Sequence, residues 1–180
     1  PLTPENVIAT RAAVKELFLS FAAKPRTDIC ITETKVLGYQ HEVTLRCFVP
    51  EALADAEKHP TMIYYPGHGF ISDLDGLQDA PCAEIAYHGN IQVILVTNTW
   101  LAPEHRFPKG REDAKAVFSN IIAHAKQYHV DVDQVFVGGD SSGATYALQV
   151  TLAYPKLIKS LYLIAAHIDA SNDSLINASE

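Results

Sequence analysis

Gly139-Asp140-Ser141-Ser142-Gly143 is the stretch of this chain best suited to chemistry. It has the form G-x-S-x-G, with the apolar run Val135-Phe136-Val137 before it and an Ala- and Leu-rich segment after it. Strand, sharp turn and helix, in that order, hold a serine hydroxyl at the tip of a tight bend. Gly139 and Gly143 are expected to be required there because a Cβ at either position would collide with neighbouring backbone. The helix that follows points its free N–H groups at the site, where they favour a developing negative charge. Ser141 is therefore the candidate nucleophile. The competing reading is a glycine-rich turn without chemistry.

The elements that would position this serine follow from the hydrophobic pattern. From Thr61 onward, short apolar runs alternate with longer helical segments. The runs are Met62–Tyr65, Val93–Val96, Val135–Val137 and Leu161–Ala165, and between them lie helices over Ala80–His88, Arg111–His129 and Ser142–Tyr154. The runs are continuous rather than alternating, as in strands buried on both faces. A mostly parallel sheet flanked by helices, a three-layer α/β sandwich, is the expected architecture. Its functional groups should collect at the carboxyl ends of the strands.

Upstream, Thr3 to Ala23 reads as a helix capped by Thr3, with Pro4 in its first turn and an apolar stripe of Val7, Val14, Leu17, Phe18 and Phe21. Two strands follow, marked by Ile29, Ile31 and Val36 and by Val43, Leu45, Cys47 and Val49, with Gly38-Tyr39-Gln40 as the turn between them. The second alternates in polarity, so one of its faces is expected to meet water. Pro50 to Pro60 reads as a polar loop. The division is then a helical cap segment over residues 1–24 and a core domain over 25–180.

The 180 residues are enough for one domain with a substantial core. Hydrophobic residues make up 48% and the net charge is −7, which argues against a nucleic-acid binder. No segment is apolar for long enough to anchor the chain stably in a bilayer. Cys30, Cys47 and Cys82 are odd in number and widely spaced, so neither a disulfide scaffold nor a zinc site is expected. A reducing, cytoplasmic compartment fits, and a signal peptide removed before Pro1 remains an alternative.

Two further stretches carry a resemblance. Tyr64-Tyr65-Pro66-Gly67-His68-Gly69-Phe70 follows one apolar run, and Thr99-Trp100-Leu101-Ala102-Pro103-Glu104-His105-Arg106-Phe107-Pro108 follows the next. With the serine pentapeptide they resemble the hormone-sensitive-lipase-like branch of the α/β-hydrolases. That branch carries H-G-G-G-F, Y-R-L-A-P-E-H-x-F-P and G-D-S-A-G in the same order. The resemblance is close over Thr61–Ala165, and residues 28–50 look like the antiparallel strands that open the family sheet. It implies an esterase or lipase-like hydrolase acting on uncharged acyl esters through an acyl-enzyme, without metal or organic cofactor. Carried over by position, the oxyanion donors are the backbone N–H groups of His68, Gly69 and Ser142. Glu104 and His105 become loop-fixing residues rather than catalysts. Asp140 and Asp113 become structural anchors.

The departures matter as well. Pro66 replaces the family histidine and His68 replaces its middle glycine. A positive φ at position 68 would be disfavoured. The His68 side chain would either narrow the acyl pocket or pack beneath the cap. After Ser141 the single histidine is His167, with Asp169 and Asp173 behind it. The family order is Ser, then acid, then His, so these three read as loop residues. The catalytic acid and base are expected beyond residue 180, in a fold that here lacks its C-terminal strands and helices. Leu161–Ala165 would then form an apolar outer edge calling for a covering strand, from missing C-terminal chain, a second chain or self-association. Two rival functions stay open. One is a serine peptidase or amidase. The other is a non-catalytic ligand-binding relative, as in the plant gibberellin receptor, which has this fold without its catalytic histidine.

Overall fold

A computed structural model describes residues 3–168. In chain order the elements are α1 (Pro4–Ser20), β1 (Ile29–Leu37), β2 (Glu42–Pro50), a short 3-10 turn (Glu51–Leu53), β3 (His59–Tyr65), α2 (Asp79–Gly89), β4 (Gln92–Thr97), α3 (Lys109–Ala123), β5 (Val130–Asp140), α4 (Ser142–Ala153) and β6 (Ser160–Ile164). They form a six-stranded mixed sheet in the order β1-β2-β4-β3-β5-β6. β1 and β2 make an antiparallel hairpin, and β2 joins β4 antiparallel. From β4 to β6 all pairings are parallel. The α/β sheet flanked by helices expected from the apolar runs is thus present.

The runs in the middle of the sheet are continuous because it is covered there on both faces. Ile94 and Val96 pack into one core with Val117, Phe118, Ala147 and Val150 of α3 and α4. Their neighbours Val93 and Leu95 pack into the other, with Cys82, Ala83 and Ala86 of α2. The same division corrects the expectation for β2. Val43 and Leu45 enter the α3/α4 core, but Phe48 is wholly buried on the α2 side, so that face is not simply a wet one. Its polar part is closed by ion pairs from Arg46 to Asp79, Asp75 and Glu33. The expected loop over 50–60 is shorter than predicted, since β2 runs to Pro50 and β3 starts at His59. Of the thiols, Cys82 is buried, Cys47 half-buried and Cys30 exposed, and all three are free.

α1 starts as expected, with the Thr3 hydroxyl accepting from the Asn6 N–H at 3.2 Å. It ends three residues early, at Ser20. Its apolar stripe does not reach a core. No residue of α1 is buried, and Leu17 and Phe18 are exposed, as is Phe21 just beyond its end. Polar tethers hold it instead: Arg11 to Glu104 and Lys15 to Asp73. At the far end, β6 pairs with β5 alone among the described residues, and Tyr162 and Ile164 face outward with 50% and 42% exposure.

Candidate active site

The elbow forms where β5 runs out beside β3. Gly139 is in register with Tyr65, the last residue of β3. Ser141 then turns with φ 50° and ψ −124° and caps α4. A side chain rarely takes this backbone conformation, which persists only where the surroundings enforce it. Here the enforcement is backbone against backbone. A Cβ at Gly139 would lie 2.6 Å from the Tyr65 carbonyl oxygen and 2.7 Å from Gly143. A Cβ at Gly143 would run into the carbonyl groups of Tyr65 and Pro66. The Ser141 N–H donates to the Ile164 carbonyl at 2.7 Å, which ties the turn to the end of β6. Ser141 itself is half-buried, and its hydroxyl makes no hydrogen bond among the described residues.

The segment leaving β3 passes directly over this turn. Asp140 pins it: one carboxylate oxygen accepts from the Gly67 N–H and the Tyr64 hydroxyl, both at 3.0 Å, and the other from the Gln78 amide at 3.2 Å. Asp140 is thus an anchor between the serine turn and the loop. Gly67 leaves no room for a side chain against Asp140 and Ser141. The next residue places its N–H over α4. The His68 N–H donates to Ser142 Oγ at 3.0 Å. Gly69 is exposed, with φ 59° and open space around it.

The positive φ angles of this loop fall on Gly69 and Phe70, and His68 is spared one. Its imidazole is turned inward. It is 8% exposed, lies between Phe70 and Tyr146, and accepts the Phe70 N–H at Nδ1. That bond needs an unprotonated Nδ1. Burial also disfavours the charged ring and lowers its pKa to about 4. The ring packs against Phe70 and Tyr146, and the residue also borders the cavity beside α1. Tyr146 and Gln78, which complete these contacts, carry no sequence signal beyond their places in α4 and just ahead of α2.

The Leu101–Pro108 stretch is structural. Glu104 makes a paired hydrogen bond to Arg11, whose guanidinium also reaches the carbonyl oxygens of Ile71 and Ala102. The Ala102 N–H in turn donates to the Phe70 carbonyl, joining this stretch to the loop that leaves β3. His105 stacks on Trp100 and makes no bond to Ser141. Asp113 is wholly buried and accepts from the Tyr39 and Trp100 N–H groups while pairing with His41 at 2.7 Å. It locks the β1–β2 turn to the β4 end. The His167 carbonyl accepts from the Thr145 hydroxyl. Asp169 and Asp173 lie outside the described residues.

A cavity of about 690 Å³ opens beside the loop, between α1 (Ile8, Arg11), Gly67, His68 and Gln78. A second, of about 450 Å³, has aromatic walls from Phe70, Trp100, Phe107 and Tyr146. No helix among the described residues is long and apolar enough to cross a membrane.

Residues 62–177 match the family model described as alpha/beta hydrolase fold. The chain is 28% identical over 137 residues to Esterase LipI of Mycobacterium tuberculosis, covering 75% of this chain and 42% of that protein. It is 32% identical over 111 residues to the acetyl esterase of Salmonella typhi, covering 62% and 33%. Among solved structures, it superposes on an ester hydrolase from the metagenome of Lake Arreo, complexed with a bipyridine phosphonate derivative. The TM-score is 0.88 at 29% identity, over 96% of this chain and 56% of that one. A bacterial heroin esterase gives a TM-score of 0.81 at 25% identity, over 92% and 53%. The chain therefore spans less than half the length of these two curated relatives. With its sheet order and strained serine turn, it belongs to the α/β-hydrolase fold family, in the hormone-sensitive-lipase-like branch.

Proposed function

We propose that the protein carrying this chain is a carboxylic-ester hydrolase with Ser141 as its nucleophile. The observation that carries this reading is the forced backbone at Ser141, φ 50° and ψ −124°, held between Gly139, Gly143 and the Tyr65 carbonyl. Strain of this kind persists where it serves to present a group. In the reaction, Ser141 Oγ bonds to the ester carbonyl carbon while a base outside the described residues takes its proton. The carbonyl π electrons move to oxygen. The resulting oxyanion faces the backbone N–H groups of His68, Gly69 and Ser142, at the N-terminus of α4. Collapse expels the alcohol, which leaves with the proton. Water then attacks the acyl-serine and releases the acid.

Relatives named as esterases support an ester rather than an amide substrate. The cavity beside the loop carries charges of both signs, and the second is walled mainly by aromatic and uncharged side chains with Arg111 as its one cation, which fits an uncharged acyl ester of modest size. The outward Tyr162 and Ile164 of β6 support a further strand against that edge, from the same polypeptide or a second copy. The mass of the native polypeptide distinguishes these. The function is tested by exposing the intact protein to a fluorophosphonate probe and to p-nitrophenyl acetate. Labelling at Ser141 and turnover that disappears in Ser141→Ala are expected. A protein that binds acyl ligands with neither labelling nor turnover is a binding module instead.

A further inference from the structure

His68 and Ser142 stand where the family motifs have glycine and alanine, and here they are bonded to each other. The His68 N–H donates to Ser142 Oγ at 3.0 Å. Ser142 is fully buried and His68 nearly so, which keeps water from competing for that N–H. The acceptor hydroxyl belongs to the residue whose own N–H opens α4 at the same site.

We propose that Ser142 Oγ is an internal stand-in for the substrate oxygen. In the resting site it occupies the His68 N–H, and it yields that N–H to the oxyanion during reaction. This rests on the ester-hydrolase reading above. A neutral hydroxyl and a neutral ester carbonyl are acceptors of similar strength, so exchanging one for the other gains little when substrate binds. A charged oxygen accepts roughly twice as strongly as a neutral one. The exchange becomes favourable only as charge develops on the carbonyl oxygen, so until then the hydroxyl keeps the His68 N–H paired. Ser142 is thus a positioning residue through its side chain, apart from any role of its backbone N–H.

The hydroxyl also competes in every state that places an oxygen in the site. Removing it strengthens ground state and transition state alike, by about fivefold, the net worth of one neutral hydrogen bond. A gain common to both states lowers KM and leaves kcat in place.

The test compares wild type with Ser142→Ala in three measurements: hydrogen exchange at the His68 amide, the second-order rate of fluorophosphonate labelling at Ser141, and steady-state hydrolysis of p-nitrophenyl acetate. The variant is expected to exchange the His68 amide faster, to label about fivefold faster, and to show a lower KM at unchanged kcat. A hydroxyl that only braced the loop would make labelling slower and kcat lower on its removal, and that result overturns the inference. Unchanged exchange at His68 overturns it too. The wild-type exchange measurement stands even if the variant does not fold, because an unprotected His68 amide removes the premise. A wild type that neither labels nor turns over sinks the ester-hydrolase reading and this inference together. A wild type that labels faster than the variant sinks the inference alone.

Discussion

The two halves of this site are built differently. The serine turn is fixed by backbone meeting backbone: Gly139 and Gly143 against the carbonyl groups of β3 and its exit. The oxyanion-side loop is fixed by side chains: Asp140 holding Gly67, Ser142 Oγ holding His68, and the His68 ring holding Phe70. Backbone contacts admit almost no substitution, because carbonyl groups at strand ends cannot move without breaking the sheet. Side-chain contacts can be rewired. That difference explains why the turn keeps the family pattern at its glycines while the loop accepts Pro66 and His68.

Replacing Ser141 tests the turn most severely. Ser141→Gly should abolish labelling and reduce turnover by at least about three orders of magnitude. The same change should raise unfolding free energy by about 1 kcal/mol, since glycine relieves the strained φ. Activity assays and urea denaturation read the two effects, and a loss of stability would show that the turn is not strained. Next in size is a pair of alanines. Gly143→Ala should cost roughly 4 kcal/mol or prevent folding. Gly69→Ala, with positive φ but open space, should cost only about 1–2 kcal/mol. Equal costs in urea titrations would erase the distinction between the two halves.

The loop has its own signature in pH. His68 is neutral when folded, with its pKa lowered to about 4 by burial, whereas an unfolded histidine titrates near 6.5. Between those values the unfolded chain binds a proton that the folded chain refuses. Stability is therefore retained above about pH 6.5 and lost as pH falls toward 4, by at most about 3 kcal/mol. Thermal melts of wild type and His68→Asn across pH 7 to 4 isolate this share, and parallel curves would refute it. The smallest effect concerns the α1 tether. Arg11→Ala removes a paired bond to Glu104 on the partly exposed surface and should cost about 1 kcal/mol. Faster proteolysis between residues 20 and 28, with the core melt almost unchanged, is the expected readout.

Much of this was legible in the residues themselves. The continuous runs in β3 and β4 signalled strands buried on both faces, and the two-core division bears that out, whereas β5 enters one core only and leaves Phe136 half-buried. The run at Leu161–Ala165 was expected to be an apolar outer strand, and among the described residues β6 pairs with β5 alone. The signal failed where burial depends on what lies opposite. α1 carries an apolar stripe at helical spacing, yet no residue of the helix is buried. Phe48 sat in the polar register of β2 by alternation alone, but α2 covers it. The fate of the His68 side chain was equally open, because nothing local says that Tyr146, far along the chain, closes over it.

The sequence by itself determined the serine turn, since its glycines are demanded by contacts that the strand–turn–helix order always creates. It also determined the parallel part of the sheet, through apolar runs that tolerate no wet face. Only the tertiary structure decided how the oxyanion-side loop is held. The bond between His68 and Ser142 joins residues on different elements, and Asp140 reaches back to Gly67 and Gln78 in the same way. Hydrogen bonds between side chains and distant backbone leave no periodic trace. They exist only once β3 and β5 lie side by side and bring the loop down onto the turn.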